Sequence, residues 1–276
     1  MDIMMNLKSI IDCHTHSSFS PDSKVSIKDG ALGAVTAGIG GITFTDHIDL
    51  GHPNHKGDYY AFDETKRSKN IELVQQELNG SIKVLDGLEL GFQPQIAGLA
   101  ADIVKKNNFD FVICSIHVVD RIDLGNPDFY QGKTKHQSLT RYLEAIYESV
   151  KTFDDFDVIG HIGYMCRYMP YPDKSFKYAD YADLLDLIFK TVIAKDKGIE
   201  INTAGFFYKL DATHPGYDSI QRYKDLGGKI ITLGSDAHQA KRVGDKFDIV
   251  TRQLIAMGIT EVAYFEKRKP VFVKIA

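Results

Sequence analysis

Short apolar runs rich in β-branched residues alternate along this chain with polar turns and with stretches of helical periodicity. The runs fall at 9–13, 41–45, 82–85, 109–114, 156–160, 198–202 and 229–234. Each is brief and nearly continuous in apolar character, the pattern of a strand buried on both faces. Between them the apolar positions recur at helical spacing, over roughly 26–38, 63–79, 94–107, 138–151, 178–196, 216–226 and 246–257. Asp63-Glu64, Pro94 and Pro215 suit helix entries, and Gly227-Gly228 and Gly258 suit exits.

Strand–helix units in strict succession predict a parallel sheet with helices packed outside it. For a single domain over 1–276 the natural form is a closed barrel, with an open doubly wound sheet as the alternative. In either form the functional site belongs at the carboxyl ends of the strands. The runs at 261–265 and 270–275 are expected as short strands covering an edge of the sheet. The connections 47–62 and 117–137 are longer than a usual βα loop and are expected to wall a pocket.

Composition narrows the function classes. With 33 basic and 37 acidic residues in 276, the net charge of −4 argues against a nucleic-acid partner held by bulk charge, but leaves room for a small phosphorylated substrate. No apolar stretch is long enough to span a membrane, and the first residues lack the pattern of a secretory signal. Cys13, Cys114 and Cys166 are odd in number and widely spaced, which suits buried thiols in a reducing cytoplasm.

The chemistry-bearing side chains cluster at the ends of the strands. His14 and His16 follow the first run, then Asp22; His47 follows the second and Glu89 the third. His117, His161 and Asn202 follow the next three, and Asp236 and His238 follow the last. In an extended chain His-x-His projects two imidazoles the same way, and Asp236-x-His238 repeats the geometry. So many inward-pointing polar groups could not stay unpaired. Nitrogen and oxygen donors without thiolates suit Zn, Mn or Fe(II), and the nine His, Asp and Glu candidates, Asn202 left aside, imply two or three divalent metals. Metal pairs of this kind generate a nucleophile that attacks phosphate esters or amides.

The elements His14-Thr15-His16, Thr45-Asp46-His47, Glu89, His117, Gly160-His161 and Gly234-Ser235-Asp236-Ala237-His238 resemble, in order, those of the polymerase-and-histidinol-phosphatase (PHP) family. Within it the chain is most similar to the histidinol-phosphate phosphatase branch, through Cys114-Ser115-Ile116-His117, Glu200-Ile201-Asn202-Thr203-Ala204-Gly205 and the acidic Asp22. One departure is Gly163, where many relatives carry Asp. The resemblance implies an α/β fold, a distorted (β/α)7 TIM-like barrel. It also implies a metal held by His14, His16, Glu89 and Asp236, a second by Glu89, His117 and His161, and a third by Asp22, His47 and His238. A hydroxide bridging the metals would attack phosphorus. Glu89, Asp236 and His238 are then the residues nearest the chemistry, and the implied substrate is L-histidinol phosphate.

A dianionic phosphate calls for cationic donors, and Arg167 is the first choice, with Ser18 and His52 as further substrate contacts. Tyr164 to Tyr171 and Phe206-Phe207-Tyr208 could offer a slot for the imidazole end. His55 and His136 are expected to be exposed, and His214 either lines the pocket or opens a helix. Two alternatives share the motif set: a phosphoesterase acting on nucleotides, oligonucleotides or phosphotyrosine, and a metal-binding module without catalysis.

Overall fold

In the computed structural model, residues 5–53 and 61–276 are described. Seven strands lie side by side in chain order, all parallel: β1 Ile11–Thr15, β2 Gly41–Phe44, β3 Lys83–Gly91, β4 Phe111–Ser115, β5 Val158–Ile159, β6 Gly198–Asn202 and β7 Ile231–Gly234. The sheet closes on itself. The Asp236 amide donates to His14 O at 2.8 Å and the His16 amide to Ala237 O at 3.0 Å, joining the end of β7 to the end of β1. The fold is therefore the barrel, and the open sheet is set aside.

Two strands differ from the expected limits in a way that moves functional residues. The first begins later, because Leu7–Ser9 forms a 3-10 turn, so His14 lies within β1. The third is longer, with Glu89 inside it, because β3 has different partners along its length. Its first half pairs with β2, and its second half pairs with β4 on one side and with the short strand His47–Ile48 on the other.

The helices α1 Ile27–Ala37, α2 Glu64–Leu78, α3 Ala97–Lys106, α4 Lys135–Thr152, α5 Ala182–Ala194, α6 Tyr217–Asp225 and α7 Phe247–Ala256 follow the strands in turn. Asp63 caps α2, its side chain accepting from the Lys66 amide at 2.9 Å. The fourth helix starts earlier than periodicity suggests because Thr134 and Gln137 form a reciprocal capping box. The stretches at 94–107 and 178–196 each open with a 3-10 turn, Pro94–Ile96 and Tyr178–Asp180, before the helix proper.

Side-chain alternation divides the core. On β3, Leu88 and Leu90 join the large cluster between barrel and helices, while Leu85 joins a smaller one with Ile11, Cys13, Phe111, Ile113 and Val158. Glu89 shares the face of Leu85, so the same pleat that makes an apolar lower core places a carboxylate above it.

The terminal hairpin β8 Glu261–Glu266 and β9 Lys269–Lys274 does not cover a sheet edge, since a closed sheet has none to cover. It plugs the amino-terminal mouth. Tyr264 and Phe265 complete the smaller cluster, and Phe265 stacks on Phe111 at 5.1 Å. The turn is tied down by the Lys267 and Arg268 amides, which donate to Asp110 at 2.9 Å each. Phe265→Ala should cost about 3–5 kcal/mol in urea unfolding, the usual penalty for emptying a buried aromatic site. A loss below about 1 kcal/mol would mean the hairpin is decoration.

Candidate metal centre

Glu89, 1 % exposed, stands at the middle of the barrel's carboxyl end. Its Oε2 faces His47 Nδ1 at 2.9 Å, His14 Nε2 at 3.2 Å and His16 Nε2 at 3.5 Å. Its Oε1 faces His161 Nε2 at 2.8 Å and His117 Nε2 at 3.2 Å, and accepts from Ser115 Oγ at 2.7 Å. Asp236 closes the other side, with Oδ1 3.2 Å from His16 Nε2 and 3.7 Å from both His14 Nε2 and His238 Nδ1. Its backbone is held at φ 53°, a left-handed conformation that Asp tolerates better than most residues. Asp22, half exposed, reaches in from its loop, with Oδ2 3.0 Å from His238 Nε2 and 3.6 Å from His47 Nε2.

A second layer holds these side chains from behind. Glu200 sets Oε1 at 2.6 Å from His14 Nδ1 and accepts the His161 amide on Oε2 at 2.7 Å. Gly234 makes that reach possible, because a Cβ there would stand 2.2 Å from Glu200 Oε1. Asp49 pairs with His117 Nδ1 at 2.8 Å. Ser20 Oγ lies 3.2 Å from His16 Nδ1 and donates to Asp46, which also accepts from the Ser17 hydroxyl and amide. Asp46 is in turn paired at 3.2 Å with Arg67, fully buried from α2. Occupying Nδ1 in this way leaves Nε2 of His14, His16 and His117 turned to the centre.

The donor set fits divalent cations. Nε2 of His14 and His16 and Oε2 of Glu89 are buried with no hydrogen-bond partner among the described residues. Among the described residues, four triplets place their donor atoms within 4.8 Å of one another: His14, His16 and Glu89; His14, His161 and Asp236; His16, His47 and His238; His47, Glu89 and His117. All donors are nitrogen or oxygen, the chemistry of zinc, manganese or iron. The first triplet lies within one of the ligand sets that the resemblance implies and the other three cut across them, two of these through His47, which presents one ring nitrogen to Glu89 and the other to Asp22.

Charge among the side chains of the centre is a compromise. Burial opposes protonation of His14, but the carboxylates of Glu200, Glu89 and Asp236 outweigh it and hold its pKa well above the ordinary imidazole value. His117 is likewise pushed up to about 10, burial being overcome by Asp49 and Glu89. His16 goes the other way, to about 4, through burial and the neighbouring His238 and His47. Burial disfavours the charged forms of Glu89 and Asp236 too, yet their cationic neighbours hold both well below the carboxylate range.

Above the centre lies a cavity of about 270 Å³, bordered by Glu89, Asp236, His238, Arg167 and Arg242 and by the rings of Tyr164, Tyr168, Phe207 and Tyr208. Arg167, expected from sequence as a phosphate contact, is buried here. Its Nη1 meets Asp236 Oδ2 at 2.7 Å, its Nη2 donates to Asn202 at 3.2 Å, and it lies between the Tyr164 and Tyr208 rings at 4.9 Å from each. A second cavity of about 210 Å³ adjoins the first, and His52 lines it, 4.0 Å from Asp123. Ser18 is exposed and borders neither cavity, its amide bonding to Val25 O. His136 is exposed and His55 lies outside the described residues. His214 is buried behind Gly163, with Nδ1 3.0 Å from where a Cβ on Gly163 would sit. With φ 116° as well, position 163 has no room for the Asp that the resemblance suggests.

The PHP domain model matches residues 12–204. The chain belongs to the PHP family. Relatives in that family include the histidinol-phosphatase of Lactococcus lactis subsp. lactis, 34% identical over 94% of this chain and 95% of its own length. A probable histidinol-phosphatase of Clostridium acetobutylicum is 32% identical over 94% of this chain and 98% of its own. Among solved structures, histidinol phosphate phosphatase from Lactococcus lactis, complexed with zinc, L-histidinol and phosphate, superposes with a TM-score of 0.89 at 32% identity, covering 96% of this chain and all of that one. A putative histidinol phosphatase from Listeria monocytogenes shares the fold, with a TM-score of 0.74 at 18% identity over 87% of this chain and 99% of that one.

For a PHP chain, the back layer is what motif reading passes over. Glu200 lies in a quoted run but has no ligand spacing of its own, and Asp49, Arg67 and Arg242 carry no motif at all. The electrostatics yield a test. Zinc titrated into metal-free protein at pH 7 should release protons, because histidines held above neutrality must shed them to bind a cation. Asp49→Asn removes the partner that keeps His117 protonated, so about one proton fewer should be released. Heats measured in buffers of different ionisation enthalpy count them, and an unchanged count would contradict the charge assignment.

Proposed function

We propose that this chain is a metal-dependent phosphomonoesterase that hydrolyses L-histidinol phosphate to L-histidinol and phosphate, a step of histidine biosynthesis. What carries the reading is the buried Arg167 guanidinium on Asp236, beside a centre rich in nitrogen and oxygen donors and open to one cavity. The whole-length likeness to the Lactococcus enzyme, solved with zinc, L-histidinol and phosphate, supports it.

In this reading His14, His16, Asp22, His47, Glu89, His117, His161, Asp236 and His238 hold two or three divalent ions, zinc, manganese or iron. Bound there, the ions would supply the Lewis acidity that draws charge from the phosphoryl oxygens and lowers the pKa of water to a usable nucleophile. The protein's own groups do the rest. Glu89, Asp236 and His238 border the cavity, which supports reading them as the residues nearest the reacting phosphorus. Arg167, locked between two tyrosine rings, presents fixed positive charge where the dianion accumulates negative charge, so little reorganisation is needed. Tyr164, Tyr168, Phe207 and Tyr208 give the substrate's imidazole flat faces to stack on. The chain acts as one domain over 1–276, and we place it in the cytoplasm. Its three cysteines are free and buried, and no helix among the described residues is long and apolar enough to cross a membrane.

Full-length protein loaded with zinc or manganese should release phosphate from L-histidinol phosphate, with kcat/KM at least about tenfold above nucleoside monophosphates and phosphotyrosine. Chelation should abolish the activity and metal should restore it. Metal-replete protein that leaves L-histidinol phosphate intact, or prefers a nucleotide, would overturn the substrate assignment.

A further inference from the structure

The cavity has two arginines, and their charges are disposed of differently. Arg167 is committed to the protein through Asp236 and Asn202. Arg242, at the end of the Ala240–Arg242 turn that follows β7, is not. It is equally buried, 9 % exposed, and borders the same cavity, yet its Nε and Nη2 have no hydrogen-bond partner among the described residues. Nε is 3.8 Å from Asp245 Oδ2, too long for one, and the guanidinium carbon lies 3.7 Å from the centre of the Phe207 ring.

A guanidinium carries five N–H donors in a planar fork, and burying them without acceptors is costly. Burial accordingly presses the Arg242 pKa below its ordinary value. The ring of Phe207 fixes the plane of the fork but accepts none of its hydrogen bonds. Such a group is completed by an oxyanion that enters the cavity, and the fork matches two phosphate oxygens.

We propose that Arg242 is a specificity-determining residue that donates to the phosphate group of a monoester bound in this cavity. This rests on the proposed phosphatase reading and deepens it. Arg167 supplies positive charge already partly balanced by Asp236 at 2.7 Å, while Arg242, whose nearest carboxylate is Asp245 at 3.8 Å, supplies the less balanced charge that favours a doubly charged monoester over a singly charged diester.

The test uses zinc-loaded, full-length protein carrying Arg242→Gln and, separately, Arg242→Lys. Inorganic phosphate and L-histidinol are each titrated by calorimetry, and zinc content is measured on the same samples. The expected result is phosphate binding at least about tenfold weaker in Arg242→Gln, the loss of a charge-assisted contact. Arg242→Lys, which keeps the charge but not the fork, should fall between. Zinc content and L-histidinol affinity should stay within about twofold of wild type. Phosphate affinity that stays within about twofold of wild type in the variants overturns the proposal. So does an equal loss of phosphate and L-histidinol affinity, which would make Arg242 a prop for Phe207. If Arg242→Gln does not fold, Arg242→Lys decides by the same measurements. If the wild-type protein binds phosphate but does not cleave L-histidinol phosphate, the substrate reading fails while the phosphate titration still decides the role of Arg242.

Discussion

The interaction on which the rest of the structure depends is the buried contact between the Glu89 carboxylate and the imidazoles of His14, His16, His47, His117 and His161. A carboxylate taken out of water is unstable as an anion unless opposite charge surrounds it. Here the surrounding groups repel one another as well, and His16 is driven to about 4 in part because His238 and His47 sit beside it. Protons alone cannot satisfy every member of such a set. Divalent cations can, because each replaces several partial charges with one centre that all the donors face.

The barrel exists in the form that makes this meeting possible. Alternation along β3 puts Leu85 into the lower core and Glu89 above it, so one strand supplies both the packed base and the centre of the site. Closure of β7 onto β1 brings Asp236 against His14 and His16, far apart in the chain. The rings are then gripped from outside by Glu200, Asp49 and the chain of Ser20, Asp46 and Arg67. Packing and hydrogen bonds therefore set the ring orientations, and a preorganised ligand set loses little freedom on binding a cation.

How much of this could be read from the chain follows from the range of each signal. Strand periodicity and the placement of His, Asp and Glu beside the apolar runs are local, and they led to the barrel and to the cluster of side chains at its mouth. The limits of β1 and β3 were missed because they depend on which neighbours a strand pairs with. The loop after His16 is silent for a related reason: its adjacent serines look alike in sequence, but Ser17 turns inward to Asp46 and Ser18 is exposed. Glu200, Asp49 and Arg67 act by supporting other residues across the fold, which no spacing along the chain reveals. The terminal hairpin has strand character in either role, and only closure of the sheet decides that it plugs a mouth.

The most direct measurement is the zinc content of Glu89→Gln, purified and loaded in parallel with the wild-type protein. Glutamine keeps the size of the side chain and removes its charge, so the barrel should remain folded, with a far-ultraviolet spectrum matching wild type, while most of the bound zinc is lost. A folded Glu89→Gln protein that holds the full wild-type complement of zinc with equal affinity would contradict the account, because the cluster would then not be organised around that carboxylate.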